Sequence, residues 1–140
     1  MKISSQVDRK FVEVYDVEEW DVLTDTGWED ISHSNKTVEY GVWELKTHNG
    51  LELKCADNHI IFDKNYNEVF VKDLKIGDSI ITKDGIDTVQ SVSDLGYSEN
   101  MYDLSVNSEN QRYYTNDILS HNTQCVAAFI LYYVLFNDEK

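Results

Sequence analysis

From Phe11 to Thr115 the chain keeps switching between apolar and polar residues, and no proline interrupts it. A period of two is that of a strand with one buried face, because successive side chains leave a strand on opposite sides. FVEVY (Phe11 to Tyr15), WDVLT (Trp20 to Thr24), TVEYGVWELKT (Thr37 to Thr47) and LELKC (Leu51 to Cys55) all read as half-buried strands. HIIF (His59 to Phe62), EVFV (Glu68 to Val71), SIIT (Ser79 to Thr82), IDTVQSV (Ile86 to Val92), MYDLSV (Met101 to Val106) and RYYT (Arg112 to Thr115) continue the series. Gly, Asn and Asp punctuate it, in DKNYN, Lys83-Asp84-Gly85 and Asn116-Asp117. Asn49-Gly50 is the strongest hairpin signal, with both residues expected at positive φ. Many short strands at close spacing predict an all-β domain.

The pattern changes after Asn122. From Gln124 to Phe136 there is no turn residue and no alternation, and Ala, Leu and aromatics take over. That length predicts a helix, apolar nearly all round and in need of a burial site. It is too short to span a bilayer, which takes about 20 apolar residues. The chain divides here into residues 1–122 and a tail, 123–140.

Charge narrows the function classes. The 140 residues carry 26 acidic and 12 basic side chains, a net charge of −14. Such a chain lacks the basic footprint of a nucleic-acid binder and is repelled by anionic membrane surfaces. Two cysteines without a C-x-x-C pair give neither a disulfide framework nor zinc spacing, so no metal or cofactor is expected. The start, MKISSQVDRKF, has no apolar core of a signal peptide, and a reducing, cytoplasmic location is expected.

At the boundary stands SHNT, Ser120 to Thr123. One reading is structural: Asn122 or Thr123 caps the tail helix. The other is chemical. An Asn side-chain amide can attack its own backbone carbonyl, close a five-membered succinimide and cleave the bond to the next residue. His121 could assist as general acid or hydrogen-bond donor. Thr123 could first accept an acyl group on its hydroxyl.

The surroundings resemble a family. MYDLSVNSENQRYYTNDILSHN (Met101 to Asn122) resembles the C-terminal splicing block of inteins, which ends in His-Asn before a Cys, Ser or Thr. LKCADNHIIF (Leu53 to Phe62) resembles their internal block. VKDLKIGDSII (Val71 to Ile81) and VLTDTGWEDI (Val22 to Ile31) resemble further stretches of the Hedgehog/intein fold, in family order. The resemblance implies that fold, and roles residue by residue. Asn122 would cyclise, His121 would assist, and Thr123 would accept the acyl group. His59 would polarise the upstream scissile amide, and Asp103 would coordinate the two halves of the reaction. Read alone, His59 is a satisfied core histidine and Asp103 a turn or edge-strand acid; the ordered set of blocks favours function. The chain departs from the family pattern at Ala56, where Thr or Ser is usual, and at Asn110 and Gln111, where a loop His is common.

Nothing in MKISSQVDRKF matches the opening block with its first nucleophile. The resemblance therefore implies the C-terminal piece of a split intein, incomplete without a short N-terminal fragment carrying the N-extein. TQCVAAFILYYVLFNDEK (Thr123 to Lys140) resembles the helix after the phosphate-binding loop of a phage terminase large subunit, and would be the C-extein of a phage protein made in a bacterial host. The expected activity is single-turnover protein trans-splicing. A domain that only cleaves after Asn122, or a non-catalytic β binding module with a docking helix, are the alternatives.

Overall fold

The computed structural model describes residues 11–16, 21–106, 111–121, 126–127 and 136–137. Two strands dominate: β3 (Gly27–Thr47) of 21 residues and β8 (Gly85–Val106) of 22 residues. They run antiparallel from the pair Ile31↔Val106 to the pair Thr47↔Val89. A flat ladder this long cannot wrap a core, and β-bulges supply the bending. The register shifts four times, between Ile31/His33, Lys36/Glu39, Gly41/Trp43 and Lys46/Thr47. At the third, β8 advances four positions (Ser98 to Asp94) where β3 advances two (Gly41 to Trp43). Gly96 lies inside that excess at φ +82, its N–H donating to the Asp94 carboxylate at 2.9 Å. The polar stretch between Val92 and Met101 thus joins two expected strands into one.

The remaining strands are β1 (Phe11–Asp16), β2 (Asp21–Thr24), β4 (Glu52–Ala56), β5 (Ile60–Phe62), β6 (Glu68–Phe70), β7 (Ser79–Thr82), β9 (Arg112–Thr115), β10 (Ile118–His121), β11 (Val126–Ala127) and β12 (Phe136–Asn137). The neighbour order is β12-β2-β3-β4-β11-β8-β7-β10-β5-β6, with β1 on β3 and β9 on β10. The all-β expectation holds: among the described residues the only helical element is a 3-10 turn, Val71–Asp73. Most of the expected tail helix lies outside the described residues. Its described parts, Val126–Ala127 and Phe136–Asn137, are extended and pair with β4 and β8, and with β2.

The main apolar core includes Val42, Leu45, Leu53, Cys55, Ile61 and Met101, all fully buried. Cys55 serves here as a small core hydrophobe. A second cluster joins Val22, Ile31, Leu104, Val106 and Tyr113; a third joins Phe62, Ile81 and Leu119.

Two turns share one device. In Thr24-Asp25-Thr26-Gly27 the first Thr hydroxyl accepts the N–H of Thr26 (3.1 Å) and donates to the Gly27 carbonyl (2.8 Å). In Thr82-Lys83-Asp84-Gly85 the same bonds measure 3.3 and 2.7 Å. Both glycines sit at positive φ, +105 and +114. The Asn49-Gly50 turn differs from expectation. Only Gly50 is left-handed (φ +89), because the loop closes on Thr47: Gly50 N–H donates to its carbonyl and Leu51 N–H to its hydroxyl. The two-residue turn with both positions left-handed falls instead at Asn116 (φ +49) and Asp117 (φ +66), between the paired Thr115 and Ile118.

These φ values predict opposite effects. Asp117→Gly removes left-handed strain and raises stability by about 0.5–1 kcal/mol. Gly85→Ala has open space for its Cβ, so only backbone strain acts, lowering stability by about 1–2 kcal/mol. Urea unfolding of both variants checks the signs.

Candidate functional site

β4 ends at Ala56, and a turn closes on it, with His59 N–H donating to the Ala56 carbonyl at 3.1 Å. The His59 carbonyl accepts Val71 N–H at 2.9 Å, so this backbone is tied on both sides. The imidazole is fully buried. Its Nε2 lies 3.3 Å from the hydroxyl of Ser120, also fully buried. The internal block and the C-terminal block are thereby in direct contact.

β10 makes that contact possible. Ile118 to His121 was not expected as a strand, because ILSH offers no alternation. All four residues are buried, and the strand is covered on both faces. It pairs with β9, with β5 through Ser120↔Ile61 and with β7 through Ile118↔Thr82. Side chains alternate along a strand. Ser120 therefore faces His59, and His121 leaves the strand on the opposite side. The His121 ring stands 6.5 Å from Phe62, tilted by 37°.

Asp103 lies in β8, paired with Asn35 of β3, and both are buried. Asp103 is not in a turn: it lies within the β3–β8 ladder, two residues from the β11 pairing at Met101. Buried polar groups surround it along the ladder. Asn35 donates to the Ser105 hydroxyl at 3.0 Å, and Met101 N–H donates to the Thr37 hydroxyl at 3.0 Å. Asn122 and Thr123 lie outside the described residues, as does Asn110. Gln111, at the other departure from the family pattern, adopts φ +52 and leads into β9.

A charged group unforeseen from sequence flanks His121. Arg112 is its partner across the β9–β10 ladder. The guanidinium forms an ion pair with Asp25 of the β2–β3 turn (Nη2 to Oδ2 2.7 Å, Nε to Oδ1 3.4 Å). Its Cζ lies 5.4 Å from the Phe62 ring centre and 5.0 Å from that of Tyr66. Tyr66 reaches this position from a loop organised by Asp63. Burial works to raise the Asp63 pKa, but the N–H groups of Asn67 and Asn65 and the Asn67 amide together hold it below the usual carboxylate value. Burial, then the Asp25 charge and Tyr66, push the Tyr114 hydroxyl above its ordinary pKa, against an opposing pull from Arg112.

No cluster of three or more potential metal ligands occurs among the described residues. No described helix is long and apolar enough to cross a membrane.

No protein-family model matches the sequence, and no curated protein matches it. Solved structures do. The crystal structure of the VidaL intein (selenomethionine variant) is similar with a TM-score of 0.69 and 29% identity, over 73% of this chain and 69% of that one. A consensus engineered intein with an atypical split site gives 0.59 and 30%, over 73% and 80%. A DnaB intein from Synechocystis sp. PCC 6803 gives 0.63 and 25%, over 76% and 79%.

The raised Tyr114 pKa means that the folded state holds this proton beyond the unfolded value near 10. The resulting stability is present below that pH and is lost as pH rises through the folded value. Asp25→Asn should lower the Tyr114 titration midpoint and Arg112→Gln should raise it. Ultraviolet titration against Tyr114→Phe reads both shifts.

Proposed function

Because the chain belongs to the intein family, whose activity is protein splicing, we propose that it splices in trans, as the C-terminal piece of a split intein. Residues 1–122 are the intein piece and 123–140 the C-extein. The partner is a short N-terminal intein fragment bearing the N-extein. The observation that carries this reading is the buried contact between His59 and Ser120, which brings together two blocks assigned independently from sequence.

Two features favour a split form. One similar structure, at 30% identity, is an intein with an atypical split site. In addition, β1 pairs with β3 while Phe11, Val12 and Val14 stay 41%, 55% and 56% exposed. Exposed apolar groups on a strand offer a surface for an incoming strand.

The reaction runs as follows. The partner's first nucleophile takes the N-extein acyl group from the scissile amide, which His59 polarises. The Thr123 hydroxyl attacks that acyl carbon, loses its proton and displaces the partner's nucleophile. The Asn122 side-chain nitrogen then attacks the Asn122 backbone carbonyl. The Asn122–Thr123 bond breaks, the succinimide closes and the departing Thr123 nitrogen takes a proton, with help from His121. That amine attacks the ester and joins the exteins by a peptide bond. Asp103 keeps the two halves in step. The acceptor at Thr123 belongs to a segment resembling the helix after a terminase phosphate-binding loop, so ligation to an N-extein ending in Gly-Lys would complete a P-loop.

Two variants test the assignment, with mass spectrometry of the chain mixed with candidate N-fragments. Asn122→Ala should abolish release of the Thr123–Lys140 peptide. His121→Ala should slow that release by roughly 10²–10⁴-fold. Normal release from Asn122→Ala would remove the mechanism.

Thr123 separates splicing from simple cleavage. Thr123→Ala should form no ligated product while release after Asn122 persists, and Thr123→Ser should still ligate. Ligation by Thr123→Ala at the parent rate would reassign the nucleophile. Release after Asn122 without ligation in the parent would identify a domain that only cleaves.

A further inference from the structure

The Ser120 hydroxyl has a single proton and two acceptor lone pairs. It lies 3.1 Å from the Ile118 carbonyl, which can only accept, and 3.3 Å from His59 Nε2, which can do either. With the hydroxyl proton on Ile118, Ser120 must accept at the imidazole, and Nε2 must carry hydrogen. Neutral histidine holds one ring proton, so the lone pair is then on Nδ1. Ser120 and His59 are both fully buried, so bulk water does not substitute for the hydroxyl.

We propose that Ser120 is a positioning residue for His59: its buried hydroxyl fixes the imidazole in the Nε2–H form and presents Nδ1 to the upstream junction. This rests on the reading that His59 acts at that junction. In the neutral ring Nδ1 accepts a hydrogen bond; once protonated, it donates one. A ring free to flip would divide its time between two tautomers and two orientations. Ser120 stands immediately before His121 and Asn122, so the same hydrogen bond ties the upstream histidine to the strand that carries the downstream step. The local surroundings agree. Ser120 shares its face of β10 with Ile118 and pairs with Ile61, in an apolar environment where a hydroxyl without a partner is unfavourable.

The test uses the full chain labelled with ¹⁵N, and long-range correlation of the imidazole nitrogens, assigned with His59→Gln. In the parent, Nε2 of His59 should show the protonated pattern and Nδ1 the unprotonated one. Ser120→Ala should abolish that preference, and Ser120→Thr, which keeps the oxygen, should retain it. Ser120→Cys, close in size but a weak acceptor, gives a second reading if the alanine variant folds poorly. On mixing with an N-fragment that splices with the parent, Ser120→Ala should slow the upstream acyl transfer about 10-fold, a fraction of the 10²–10⁴ that acid–base assistance supplies. Ser120→Thr should restore the rate. Nδ1 protonated in the parent, an unchanged nitrogen pattern in Ser120→Ala, or a changed pattern with an unchanged upstream rate would each overturn the proposal. Failure of the parent to splice with any fragment, with the tautomer still following Ser120, would locate the error in the functional reading instead.

Discussion

Everything in the site is placed by the long ladder between β3 and β8. β8 runs along β3 up to Val89, then pairs as a hairpin with β7 from Thr88 to Gly85. β7 pairs with β10, and β10 pairs with β5. His59 precedes β5 and Ser120 lies within β10, so their 3.3 Å contact is set by the end of a relay that starts at the ladder. Asp103 occupies the ladder itself. The bulges that bend it are therefore structural requirements of that contact, since a straight ladder would direct β7 and β10 away from β4 and the turn after it.

Burial gives the site its second constraint. His59 and Ser120 are fully enclosed, and His121 is 7% exposed. In such surroundings a polar group without a partner is destabilising. Each hydrogen bond therefore specifies an orientation as well as adding stability. His59 meets β10 on one face, at Ser120, and His121 leaves the strand on the other. The Arg112–Asp25 pair closes the outer side of that strand, stacked on Phe62 and Tyr66. Asp25 comes from the β2–β3 turn, so the early hairpin is tied to the C-terminal block by a charged contact as well as by apolar packing.

Much of this was legible in the residues, for a physical reason. Strands with one solvated face announce themselves by alternation, so the starts of β4 and β7 to β9 fall within a residue or two of their expected places. β10 is buried at every position and ILSH carries no alternation, so it was hidden. The continuity of β8 through SDLGYSEN was hidden as well, because the stretch is polar and carries a turn-forming glycine; only pairing with β3 shows it to be a strand. The candidate residues were legible through block order. Their partners were not: Ser120 with His59 and Arg112 with Asp25 are separated by 61 and 87 residues. No local pattern encodes a contact at that range.

The turn chemistry shows how context decides between local rules. Asn49-Gly50 has the residues of a two-residue hairpin, yet the Thr47 hydroxyl captures Leu51 N–H and selects a different closure. Asn116-Asp117 is a weaker signal but forms the two-residue turn, because Thr115 and Ile118 are already registered by the β9–β10 ladder. That register also sets Arg112 opposite His121 and Tyr113 opposite Ser120. A longer loop at the same place would slip the pairing by one residue and send each side chain to the other face. The tight left-handed turn at Asn116 and Asp117 is thus what keeps Ser120 turned toward His59 and His121 turned away from it.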